Sequence, residues 1–167
     1  MQESKFLKDN LKNIEKLMGI PALRGFDTNK LGNLLTISKI RQYSDGECIL
    51  AEGHPDPWLY FLLSGEIRVT RKGELVARLT EQGEVFGEMG LLGRSDKSAS
   101  AYACGDTVCL STDSTMIENM ADDDKLKFFC ILYKILAEVL TARLKTTTDE
   151  LVAAKKEIAS LKKKGVA

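Results

Sequence analysis

A chain of 167 residues can enclose one full hydrophobic core and is too short for two ordinary domains plus a linker. Its 24 Lys and Arg cancel its 24 Asp and Glu, so no basic excess points to nucleic acid, and 44% hydrophobic with 29% charged residues argue against intrinsic disorder. The longest uninterrupted apolar run, Trp58 to Leu63, is far short of the ~20 residues that cross a bilayer. The mixed-charge N-terminus MQESKFLKDN has no apolar stretch behind it and reads as no signal peptide, so a cytoplasmic protein is expected.

A lone histidine, His54, removes metal centres built on several histidines and most histidine relays. The four cysteines, Cys48, Cys104, Cys109 and Cys130, form no CxxC pair and fit no zinc spacing. They are expected to be reduced, buried small hydrophobes, with no metal and no required cofactor.

In chain order, Phe6, Leu7, Leu11, Ile14, Leu17 and Met18 carry a helical spacing that stops at Gly19-Ile20-Pro21. A second short helix is predicted over Asn29 to Ser38 behind the capping candidates Asp27 and Thr28. From Arg41 the texture changes to short β-branched and aromatic runs. Turn signals separate them at Asp45-Gly46, Gly53-His54-Pro55-Asp56-Pro57, Ser64-Gly65, Lys72-Gly73, Gln82-Gly83 and Gly105-Asp106. Within Glu66–Arg71, Ile67 and Val69 share a face, and within Glu74–Thr80 so do Leu75, Ala77 and Leu79. Strands spaced by roughly 8–12 residues without helices between them indicate a sandwich or barrel.

After Thr112 the helical period returns. Ser114 is the expected cap of a short helix bearing Met116, Ile117 and Met120. Asp122-Asp123-Asp124 then supplies a cap and negative charge for a longer helix over about residues 125–164, with Gly165 as its stop. At ~1.5 Å per residue that helix is roughly 60 Å long, more than one small domain can cover. A seam of strict 4-3 spacing runs through Tyr133, Ala137, Leu140, Leu144, Thr147, Leu151, Ala154, Ile158 and Leu161. This coiled-coil pattern predicts a parallel homodimer, against a helix that packs only on its own barrel. The lysines at 155, 156 and 162–164 read as its solvated flank.

The stretch that carries chemistry is Val85-Phe86-Gly87-Glu88-Met89-Gly90-Leu91-Leu92, then Gly93-Arg94-Ser95-Asp96-Lys97-Ser98-Ala99-Ser100. A Gly-Glu step after a strand puts a carboxylate beside bare backbone amides, and Lys97 and Ser98 follow with a cation and a hydroxyl. A carboxylate accepts from sugar hydroxyls; a cation, a hydroxyl and free N–H groups hold a phosphate. A surface loop with a scattered ion pair would carry the same residue types, and spacing alone does not separate the two.

The segment resembles the phosphate-binding cassette of the cyclic-nucleotide-binding domain family, whose pattern F-G-E-[LM]-[AG]-L followed by R-[ST]-A is met here by FGEMGL and then K-S-A. Upstream, YSDGECILAEGHPDPWLYFLLSGEIRV resembles the family's opening strands, and the likeness spans roughly residues 10–150. The resemblance implies a mainly β fold with flanking helices. In outline that is a double-stranded β-helix (jelly-roll) barrel over 39–115, N-terminal helices over 1–38, and C-terminal helices over 116–167 ending in a long dimerisation helix. By the same resemblance Gly87 and Glu88 hold the ribose and approach the phosphate, with Met89 beside them, and Ser98 and Ala99 donate to the cyclic phosphate. Lys97 stands where the family has its phosphate-binding Arg; an ammonium offers one point charge in place of a planar fork. Arg94 is the nearby substitute. Thr147 and Thr148 align with the base-contacting pair on the dimer helix of the catabolite activator protein.

The reading is a stand-alone cyclic-nucleotide sensor without catalysis. It binds a 3′,5′-cyclic purine nucleotide, cyclic AMP before cyclic GMP, and signals as a homodimer to an unidentified downstream protein. No membrane association and no specific DNA binding are expected, because too few residues follow the long helix for a recognition helix. Two alternatives stand beside it: the sensory part of a transcription regulator of the catabolite activator type, and a dimerisation domain whose pocket has decayed. A cupin-type enzyme is disfavoured by the lone histidine.

Overall fold

The structure, a computed structural model, describes residues 1–4, 18–20, 23, 28–88, 96–117 and 122–164. The helix predicted before Gly19 lies mostly outside them, as do Met120, the Gly165 stop, Met89 and Arg94. The chain divides into two units, Met1–Ile135 and Leu136–Ala167.

In the first unit, strand β1 (Gln2–Glu3) precedes helix α1 (Thr28–Thr36), which buries Leu31, Leu34 and Leu35 at helical spacing. Strand β2 (Ser38–Tyr43) follows at once. The buried Ser38 hydroxyl bonds to the Leu34 carbonyl at 2.6 Å and to the Thr112 hydroxyl at 2.9 Å, which fixes the helix-to-strand corner. Strands β3 (Cys48–Leu50), β4 (Trp58–Arg71), β5 (Glu74–Leu79), β6 (Val85–Phe86) and β7 (Ser100–Asp113) complete one antiparallel sheet in the order β1-β2-β7-β4-β5, with β3 on β7 and β6 on β4. The expected mainly β architecture is present. The pairing path runs open from β1 to β5, however, and does not close into a barrel among the described residues.

Two expected turns are not turns. Chain continues as strand through Ser64-Gly65 and through Gly105-Asp106, so β4 and β7 each run for 14 residues. Their pairing shifts register around Ser64, as β-bulges do. Gly65, at φ +94°, belongs to this irregularity: a Cβ there would lie 2.6 Å from the Asp106 carbonyl oxygen.

Ile67 and Leu79 enter the core opposite one another, while Leu75 and Ala77 of the edge strand β5 are exposed. The interior holds Tyr43, Ile49, Leu50, Tyr60, Leu62, Phe86 and Cys109 among others, with Trp58 and Val69 packed against it. Of the cysteines only Cys109 is buried; Cys48 and Cys130 are exposed and Cys104 is intermediate, and all are unpaired thiols. Helix α2 (Ser114–Ile117) is capped by Asp113, not Ser114: its carboxylate accepts the Thr115 N–H at 2.9 Å, while the Ser114 hydroxyl turns back to the Pro57 carbonyl.

Helix α3 (Asp122–Lys164) runs for 43 residues and crosses the boundary between the units. Leu132 and Ile135 are buried in the first unit. In the second, Leu140, Leu144, Leu151, Ile158 and Leu161 of the predicted seam are all exposed. Among the described residues no helix is long and apolar enough to cross a membrane.

Candidate functional site

Strand β6 delivers Gly87 to the site. Phe86 is buried and stacks on Tyr60 with ring centroids 4.9 Å apart, which holds β6 against β4. The next residue turns at φ +78°, and a Cβ on it would lie 2.8 Å from the Trp58 carbonyl oxygen. Only glycine meets both conditions without strain.

Lys97 lies ten residues further along the chain, just before β7. The 53–57 loop positions it: Gly53 N–H donates to the Lys97 carbonyl at 2.8 Å, Lys97 N–H to the His54 carbonyl at 3.1 Å, and Pro55 bridges Asp96. Its side chain turns inward, leaving the residue 4% exposed. The ammonium donates to the Gly87 carbonyl at 2.8 Å and to the Trp58 carbonyl at 3.3 Å, with Asp56 Oδ1 at 3.9 Å. Burial pushes the Lys97 ammonium below the ordinary lysine range, and the charges of Asp56 and Glu88 oppose that shift.

A second tier supports the first. Asp56, between Pro55 and Pro57, accepts the Trp58 N–H at 2.7 Å in an Asx turn and the Tyr60 hydroxyl at 3.1 Å. The Tyr60 hydroxyl in turn accepts from the Arg41 guanidinium at 3.3 Å. Burial raises the Tyr60 phenol well above its ordinary value, and the Asp56 carboxylate adds to the rise. The Arg41 guanidinium also lies 3.8 Å from the centroid of the Trp58 ring, and Glu3 of β1 accepts from its Nε at 2.7 Å. Arg41, Asp56, Trp58 and Tyr60 were no part of the sequence-derived set. In the sequence Asp56 stands between two prolines, a turn signal that does not mark a site.

Of the predicted residues, Gly87 and Glu88 follow β6 and Lys97, Ser98 and Ala99 precede β7, and the Lys97–Gly87 bond ties the two segments together. Glu88 and Ala99 are half-buried and Ser98 is exposed. Thr147 and Thr148 lie exposed on α3 in the second unit, where the Thr148 hydroxyl donates to the Leu144 carbonyl of its own helix at 2.7 Å. A buried cation, a half-buried carboxylate and a glycine-exposed backbone are together able to hold an anion at one end and hydroxyls at the other.

A sequence model described as the cyclic nucleotide-binding domain matches residues 40–124. The chain is similar to the cyclic AMP receptor protein of Thermus thermophilus, 33% identical over 99 residues that make up 57% of this chain and 46% of that protein. It is 42% identical over 84 residues to glutaminase 1 of Bradyrhizobium diazoefficiens, a match covering 50% of this chain and 13% of that protein. The crystal structure of a cyclic nucleotide-binding domain from Methylobacillus flagellatus superposes with a TM-score of 0.72 at 20% identity, covering 84% of this chain and 83% of that one, a likeness of fold. The chain spans less than half the length of these two curated relatives.

Proposed function

The chain belongs to the cyclic nucleotide-binding domain family, and on that premise we propose that it is a regulatory sensor that binds a 3′,5′-cyclic purine nucleotide, cyclic AMP in preference to cyclic GMP. The observation that carries this reading is the buried Lys97 ammonium bonded to the Gly87 carbonyl, which brings the cation beside the Gly87-Glu88 step. In this reading Lys97, Ser98 and Ala99 take the cyclic phosphate and Glu88 the ribose hydroxyl. Thr147 or Thr148 reads the base, and a Thr hydroxyl that accepts from the adenine amino group gives cyclic AMP its preference. The module performs no catalysis. It acts as a homodimer through the α3 seam and passes the bound state to a downstream protein by shifting a conformational equilibrium.

Calorimetric titration with cyclic AMP, cyclic GMP and linear AMP tests the reading. Cyclic AMP is expected to bind most tightly and linear AMP most weakly. No uptake of either cyclic nucleotide at millimolar concentration, by wild type or by Lys97→Arg, would remove the sensor reading. A dimerisation domain with a decayed pocket would then replace it. One observation favours that second reading: two of the three Lys97 ammonium donors are already taken by carbonyls of its own chain.

A further inference from the structure

We propose that Arg41, which lies outside the nucleotide cassette, is a positioning residue for the Lys97 ammonium. Its reach to ligand affinity rests on the sensor reading above; its reach to Lys97 does not. An ammonium taken out of water needs fixed acceptors for its three donors. Among the described residues, two of the three acceptors around Lys97, the Trp58 carbonyl and the Asp56 carboxylate, belong to one short segment at the start of β4. Arg41 holds that segment twice. Its guanidinium carbon lies over the Trp58 ring, 3.8 Å from the centroid, and NH1 donates to the Tyr60 hydroxyl, which donates on to Asp56 at 3.1 Å. A planar cation can stack and donate at the same time, which a lysine in its place does less well. Glu3 binds Arg41 at Nε, so the carboxylate fixes one edge of the fork while NH1 meets Tyr60. Remove Arg41, and the Trp58 ring loses the nearer of the two cations over it while the Tyr60 hydroxyl loses the donor that orients it toward Asp56.

The test is read first on Lys97 itself, in the full chain without ligand. Proton exchange of the lysine ammonium is measured by NMR on isotopically labelled protein, with the Lys97 signal assigned by its loss in Lys97→Met. Wild type should show a protected Lys97 signal. Arg41→Gln should speed its exchange by about tenfold, the scale of one lost hydrogen bond. Arg41→Lys should recover part of the protection, because the charge beside Glu3 and over Trp58 is kept. Tyr60→Phe deletes only the hydroxyl between Arg41 and Asp56, so it should speed exchange in the same direction should Arg41→Gln fail to fold. Leu31→Ala, a core deletion on α1, controls for general loosening and should leave the signal protected. Unchanged exchange in Arg41→Gln and Tyr60→Phe, or equal acceleration in Leu31→Ala, overturns the proposal. Cyclic AMP affinity is read second, with a loss of about three- to tenfold expected for Arg41→Gln. Should wild type take up no cyclic nucleotide, the sensor reading falls, and the exchange rates still decide the role of Arg41.

Discussion

The Lys97 ammonium lies 2.8 Å from the Gly87 carbonyl oxygen, ten residues back along the chain, and so ties the approach to β7 to the end of β6. An anionic ligand that recruits Lys97 must replace or share carbonyl acceptors already in place. Charge-assisted bonds to phosphate are shorter and stronger than bonds to a neutral carbonyl, so the exchange can favour the ligand.

Gly87→Ala should weaken both fold and site. The added Cβ meets the Trp58 carbonyl at 2.8 Å, at a φ of +78° that L residues rarely adopt. The expected cost is about 1–3 kcal/mol, measured by urea denaturation, together with loss of cyclic AMP binding. Stability equal to wild type would show that the close approach is not tight.

Cyclic AMP affinity should fall at high pH, and sooner than for an exposed lysine. The charged ammonium binds phosphate, and burial lowers its pKa from the ordinary 10.5, so affinity declines as pH rises through that lowered value. Stability moves the other way. Between the folded and unfolded values the unfolded chain binds more protons, and the native state gains as pH rises. Titrations at stepped pH, paired with denaturation, check both slopes. Lys97→Met should flatten both, and a slope that survives in that variant assigns the effect to another group.

Glu88→Ala should cost on the order of 1.5–3 kcal/mol of cyclic AMP binding, as for a hydrogen bond to a charged group. Lys97→Arg should tighten binding by restoring the fork for two phosphate oxygens. The two variants titrated side by side separate a sugar contact from a phosphate contact. Neither expectation survives if Glu88→Ala binds as wild type does and Lys97→Arg binds no better.

Self-association should follow the exposed seam of α3. Leu144 is 68% exposed and Leu151 52% in the single chain, a costly arrangement in water unless a second copy covers it. In a parallel pair, the flanking positions oppose Glu150 to Lys155 and Glu157 to Lys162, which selects that orientation. Light scattering at micromolar concentration should report twice the mass of the chain, and Leu144→Glu with Leu151→Glu should report the chain alone. A monomeric wild type refutes the dimer.

The order of elements was legible from residues alone where a local signal is strong. The buried leucines of α1 follow a helical period, Ile67 and Val69 alternate with polar residues, and FGEMGL with K-S-A marked the family. Local signals misled where the partner strand decides. Ser64-Gly65 and Gly105-Asp106 look like turns, yet β4 and β7 pair straight past them and absorb the irregularity as bulges. Leu75 and Ala77 alternate like core residues but lie exposed on an edge strand. The cation at position 97 of a cassette is legible in the residues alone. That this cation is buried and bonded to the carbonyl of Trp58, 39 residues away, with Arg41 over the Trp58 ring, emerges only from the fold. The reason is physical: an ammonium can leave water only where several acceptors converge, and no local pattern in one chain segment records a convergence that three segments build together.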